Sequence, residues 1–214
     1  MANLITLSRL LLLIVVVAIA YQPPAPWQFA NVLLLIVVFV TDGLDGWVAR
    51  RRHEETLFGA LFDIAGDRIV ELTMWIVLAD LKLVPVWVPL VFVIRGTVVD
   101  TIRASHSTRR GESPFAMMET PVGRWLVAGR FMRIFYAVLK ATAFCWLLFL
   151  QPFPGTFPAI WAEWGGVMRL TGDVLVGLAV LICVARGLPV VFEFVYAERD
   201  AILGRAAAAR AQRD

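Results

Sequence analysis

Four aspartates, Asp42, Asp45, Asp63 and Asp67, stand inside sequence that is otherwise apolar enough for a membrane. The run from Asn31 to Val40 leads into them, and a second apolar stretch follows. A carboxylate is costly in such surroundings unless it has partners, so four of them constrain the fold strongly. On a helix, Asp42 and Asp45 share a face, with Ala49 one further turn along it. Asp63 and Asp67, four apart, share a face on the next helix, and Glu71 continues that stripe with Arg68 beside it as a counter-charge. Two such faces brought together make an all-oxygen box, which suits Mg2+ or Mn2+ and not zinc. Capped or ion-paired surface helices would also carry aspartates, but their flanks would not be membrane-grade apolar runs.

The composition agrees. Of the 214 residues 60% are hydrophobic and 17% charged, with a mean hydropathy of +0.76. A soluble domain carries about 25% charged residues, so the chain reads as an integral membrane protein. A net charge of +3 is too small to argue for nucleic acid. Cys145 and Cys183 lie in apolar runs and read as small hydrophobes and not a disulfide. His53 and His106 are too few and too far apart for a zinc site. The first apolar run has no signal-peptide cleavage pattern and is expected to stay as a helix.

The expected fold class is all-α, a polytopic membrane protein of six transmembrane helices. The spans are Asn3 to Tyr21, Phe29 to Arg50, Thr56 to Ala79, Pro85 to Arg103, Trp125 to Leu150 and Leu170 to Val195. Each is near the ~20 residues that a crossing needs. Residues 104–124 read as a long polar loop, and 151–168 as an outer loop whose four aromatic residues fit an interfacial belt. One membrane domain, 1–196, is expected, with an exposed charged and alanine-rich tail at 197–214. The loops after spans two, four and six carry eleven arginines: Arg50, Arg51, Arg52, Arg103, Arg109, Arg110, Arg124, Arg199, Arg205, Arg210 and Arg213. The opposite loops carry Lys82 and Arg169. The positive-inside rule then puts both termini and the aspartate site on the cytoplasmic side of a cell (inner) membrane.

Asn3 can cap the first helix, and Thr6 or Arg9 can face a polar interior; an anchoring arginine that snorkels is the other reading of Arg9. Gly46, Ala49 and Gly59 leave room either for a flat ring to approach or for close helix packing.

The spacing from Asp42 to Asp67 is D-x2-D-G-x2-A-R-x8-G-x3-D-x3-D, eight defined residues over 26 positions. It resembles the signature of the CDP-alcohol phosphotransferase (CDP-alcohol phosphatidyltransferase) family at every fixed position. The start N-L-x-T-x-x-R, from Asn3 to Arg9, and the chain's size are most similar to the bacterial phosphatidylglycerophosphate synthases of that family. The resemblance implies that Asp42, Asp45 and Asp63 are metal ligands, and that Asp67 is both a ligand and the catalytic base. It makes the small residues Gly46, Ala49 and Gly59 a cytidine slot, Arg50 a diphosphate ligand and Thr56 a hydroxyl for the nucleotide. It sets Asn3 and Thr6 near that pocket. CDP-diacylglycerol, a polar alcohol, membrane lipid and a second copy of the chain in a homodimer are the implied partners.

The acceptor alcohol is read from the cations. Arg130 and Arg133 are a turn apart, Lys140 is two turns further on nearly the same face, and Arg95 and Arg103 lie on the preceding span. Intramembrane cations are costly, at about 2.5 to 3.5 kcal/mol each near the centre, although anchoring near the cytoplasmic end is the alternative. Grouped, they suit a second anion, so a phosphorylated acceptor is expected: glycerol 3-phosphate first, then inositol phosphate. Choline would want an aromatic cage. Unphosphorylated inositol or serine follow if the cations do not bind the acceptor. A membrane transporter would show inverted repeats or broken helices in both halves, and the sequence has neither pattern.

Overall fold

The structure, a computed structural model, describes residues 2–52, 57–110, 123–197 and 199. Helix α1 spans Ala2–Ala20, α2 Ala30–Arg52, α3 Leu57–Asp80, α4 Trp87–Arg110, α5 Arg130–Leu150 and α6 Pro158–Ala197. A 3-10 turn at Pro26–Phe29 leads into α2, a π-helical turn at Arg124–Ala128 precedes α5, and a short helical turn, Phe153–Thr156, follows it. No strand occurs among the described residues, so the all-α reading holds. Among the described residues two segments are long and apolar enough to cross a membrane by length and composition: Arg130–Thr156 and Pro158–Ala197. Thr6–Ala20 and Pro26–Thr41 are shorter apolar stretches. Leu11, Ile14, Leu33, Ile94, Phe131, Leu181 and Phe192 are exposed, and outward apolar faces of this kind point to a membrane protein.

Two compact units divide the chain: Met1–Leu90 with Val138–Ala179, and Val91–Ala137 with Val180–Asp214. In the first, α1 packs on α2 and α3. Leu13, Val16 and Ala20 recur at helical spacing on its buried face, with Leu35 and Val38 on α2. Trp75 of α3 is fully buried and meets the Phe144 ring of α5 edge-on at 4.6 Å. The last carbonyls of α1 have no partner within the helix, a serious cost in lipid. Turn amides and side chains satisfy them. Gln28 Nε2 donates to the Ile19 carbonyl at 3.1 Å, and Gln151 Nε2 donates to that of Ala20. One turn earlier, Asn31 Nδ2 donates to the Val16 carbonyl at 3.0 Å. Val99, Ile102, Val127 and Val190 form the core of the second unit.

Three boundaries differ from the sequence reading. Helix α4 runs on to Arg110, into the first part of the expected loop, because polarity alone does not stop a helix and the first glycine after the span is Gly111. Residues 111–122 of that loop lie outside the described residues. Helix α6 begins at Pro158 and absorbs most of the expected outer loop. Proline at a first helical position is tolerated there. At 40 residues it is about 60 Å long, twice a bilayer core. Helix α5 starts at Arg130 and not Trp125, because Gly129 breaks the run with ψ 126°. A Cβ at Gly129 would stand 2.1 Å from the Trp125 carbonyl oxygen, so only glycine fits this joint. The tail beyond Ala197, Arg199 apart, lies outside the described residues.

Candidate active site

Asp63 and Asp67 fall one turn apart on α3, as their spacing requires. Their side chains are 44% and 54% exposed, although Asp63 Oδ1, on the Arg9 side, is itself buried. Arg9 of α1, almost wholly buried, reaches them both. Its Nη1 donates to Asp67 Oδ1 at 3.0 Å, and its Nη2 lies 3.5 Å from Asp63 Oδ1. Gly66 makes the approach possible. A Cβ there would stand 2.6 Å from Arg9 Nη2 and 3.0 Å from Thr6 Cγ2. Thr6 is itself buried, so it and Arg9 lie over the same bare spot on α3. Of the two sequence readings of Arg9, the structure shows the polar interior and not the snorkelling anchor.

One turn beyond Asp67, Glu71 is buried with both oxygens engaged. Lys140 Nζ is 2.6 Å from Oε1, and Arg68 Nη1 is 3.0 Å from Oε2. Arg9, Lys140 and Arg68 all act electrostatically on Asp67. Arg68 is therefore the counter-charge that its position suggested, and Lys140 of α5 joins it.

Asp42, Asp45, Gly46, Ala49 and Arg50 lie on the last turns of α2, and Asn3 lies in the first turn of α1. The side chains of all six are outside the described residues, as is Thr56 altogether. Gly59 lies on the first turn of α3, half-buried. Among the described residues no three candidate metal ligands gather. The donors that are described, two half-open carboxylates a turn apart, fit a hard divalent cation and offer nothing to a soft one.

The second unit holds a separate group of cations. Arg186 of α6 is 7% exposed. Its Nη2 donates to the Val127 carbonyl in the π-helical turn at 3.2 Å, and its guanidinium lies 5.4 Å from the centre of the Tyr136 ring. Its Nε and Nη1, like Nε of Arg95, are buried with no hydrogen-bond partner among the described residues. Arg95, Arg103 and Arg133 all lie near enough to repel its charge. Gly187 gives Arg95 its place, since a Cβ there would meet Arg95 Cγ at 2.9 Å. Arg130 and Arg133 are exposed on the first turn of α5. The structure thus groups Arg95, Arg103 and Arg133 and adds Arg186, while Lys140 pairs with Glu71 in the first unit.

Sequence reasoning missed Gly66 and Arg186. Gly66 lies seven residues after Gly59, two turns along the same face. Arg186 is a lone cation in the apolar run from Val174 to Val195, a signal that by itself marks a functional candidate.

A CDP-diacylglycerol--glycerol-3-phosphate 3-phosphatidyltransferase of Escherichia coli strain K12 is 38% identical over 68 residues, which are 32% of this chain and 37% of that protein. The enzyme of the same name from Shigella sonnei matches equally, at 38% over 68 residues. The chain thus aligns with little more than a third of the length of these relatives. A family profile described as CDP-alcohol phosphatidyltransferase covers far more, residues 1–168, and so takes in α1 with Arg9, the aspartates of α2 and α3, and Lys140. With that match over most of its length, the chain belongs to the CDP-alcohol phosphatidyltransferase family, a class of enzymes.

Proposed function

We propose that this protein transfers the phosphatidyl group of CDP-diacylglycerol to a phosphorylated polar alcohol, glycerol 3-phosphate first, and releases CMP. The observation that carries the reading is the half-open carboxylate pair, Asp63 and Asp67, held against the buried Arg9. Asp42, Asp45, Asp63 and Asp67 would hold Mg2+ or Mn2+. Bound there, the cation supplies charge neutralisation to the diphosphate. Asp67 takes the proton of the acceptor hydroxyl as its oxygen attacks the lipid-side phosphorus. The bond from that phosphorus to the bridging oxygen breaks, and CMP leaves with the bridging oxygen. Arg9 orients Asp67 for this step through its 3.0 Å bond. Arg50 pairs with the diphosphate oxygens, for which a planar guanidinium is well shaped. Gly46, Ala49 and Gly59 leave space for the cytidine ring, with Thr56, Thr6 and Asn3 around the nucleotide.

For the acceptor's phosphate, the reading assigns Arg95, Arg103, Arg130, Arg133 and the newly found Arg186. Buried N–H groups of Arg186 and Arg95 that meet no acceptor among the described residues support it, because a buried donor without an acceptor is costly. Lys140 was expected in this group, and its bond to Glu71 associates it with the carboxylate face instead. The name of the E. coli relative supports glycerol 3-phosphate. Inositol phosphate fits the same cations. Six spans, a cytoplasmic site and termini, and a homodimer complete the proposal. The test is an assay of purified protein with CDP-diacylglycerol, Mg2+ or Mn2+ and a panel of acceptors, following CMP. Release that depends on glycerol 3-phosphate and stops reversibly in EDTA is expected. Release unaffected by chelator, or driven only by serine or free inositol, would contradict it.

A further inference from the structure

Glu71 lies outside the eight-residue signature, yet it is among the few buried charged residues of those described, and both its oxygens are occupied. A pair that crosses from α3 to α5 could serve packing alone. Its surroundings argue for more. Glu71 is one turn from Asp67 on the same helix, and its partner Lys140 acts on Asp67 electrostatically, as Arg68 and Arg9 do. Three cations around one carboxylate oppose the binding of a fourth positive charge there, whether metal ion or proton. A carboxylate beside two of those cations offsets them, while its short bond to Lys140 keeps the ammonium docked.

We propose that Glu71 is a positioning residue for this reaction, which holds Lys140 beside the carboxylate face and cancels its charge there. The proposal rests on the reading of Asp63 and Asp67 as cation ligands. Electrostatics then fixes the signs. Removing the anion alone leaves Lys140 and Arg68 uncompensated and weakens cation binding. Removing the ammonium alone leaves Glu71 to favour it. Removing both charges restores the balance. A pair that served packing alone would weaken binding in both single variants, or in neither.

The test measures Mn2+ affinity of the full chain in detergent, from the electron paramagnetic resonance signal of free Mn2+. The variants are E71Q, K140M and the double variant E71Q/K140M. We expect E71Q to weaken Mn2+ binding by at least about threefold, K140M to strengthen it by a similar factor, and the double variant to stay within threefold of wild type, as offsetting charges at partly screened separations predict. Single variants that shift in the same direction, or not at all, overturn the proposal. A single variant can fail to fold, because a buried charge loses its partner. The double variant, which leaves no such charge at the pair, then decides: affinity within threefold supports the offset, and a larger change overturns it. If the wild type binds no Mn2+, the reading of the aspartates fails first, and the proposal with it.

Discussion

Arg9 Nη1 lies 3.0 Å from Asp67 Oδ1, although 58 residues separate them in the chain. The guanidinium comes from α1 and the carboxylate from α3, and burial of Arg9 shields the guanidinium side of the contact from solvent. A charged hydrogen bond so shielded fixes the carboxylate's orientation, which a catalytic base needs.

Removing the arginine should therefore harm turnover more than binding. We expect R9A to lower kcat by roughly 10- to 100-fold, the equivalent of one charge-assisted hydrogen bond of about 1.5 to 3 kcal/mol. R9K should recover only part, because one ammonium cannot span Asp63 and Asp67 as a planar guanidinium does. Steady-state CMP release with each substrate varied checks this, and a wild-type kcat in R9A would count against it.

Gly66 predicts the same defect from the other side. In an ordinary helix, glycine to alanine gains up to about 1 kcal/mol. Here the new methyl would stand 2.6 Å from Arg9 Nη2. G66A should keep the fold and lose about tenfold in kcat, as the guanidinium moves off Asp67. G177A is the control, since no described residue lies within 4 Å of a Cβ at Gly177. Equal activity of the two variants would show that the close approach at Gly66 does not matter.

Legibility of the sequence followed the physics of each signal. Helical periodicity and fixed spacing recovered the all-α class and the register of Asp63 and Asp67, because both are local. The ends of α4 and α6 were missed where polar or proline-containing sequence continued a helix. Arg9 could not be assigned from spacing, since its partner is on another helix and the deciding space is the missing side chain of Gly66. Lys140 looked like a companion of Arg133 by its phase on α5, and only the packing of α5 against α3 shows it on Glu71.

The arginine group predicts a split in the kinetics. R133A should raise the acceptor KM by about 10- to 100-fold with little effect on the CDP-diacylglycerol KM, as loss of one charged contact implies. R186M should do the same if its buried N–H groups meet the acceptor's phosphate. An unchanged acceptor KM in R133A would move unphosphorylated alcohols ahead.

Topology is testable without activity. Eleven arginines against one lysine and one arginine predict both termini on the cytoplasmic side. Cysteines placed singly at position 2 and position 214 should resist a membrane-impermeant thiol reagent in intact cells. Labelling of either from outside would refute the orientation.

The central claim is that Asp67 acts as the base in a transfer from CDP-diacylglycerol. The direct measurement is glycerol 3-phosphate-dependent CMP release by D67N, with Mn2+ and both substrates saturating. General-base catalysis contributes about 10²- to 10⁴-fold, so kcat should fall by that factor while the acceptor KM stays within about twofold. Turnover by D67N at the wild-type rate would contradict the account.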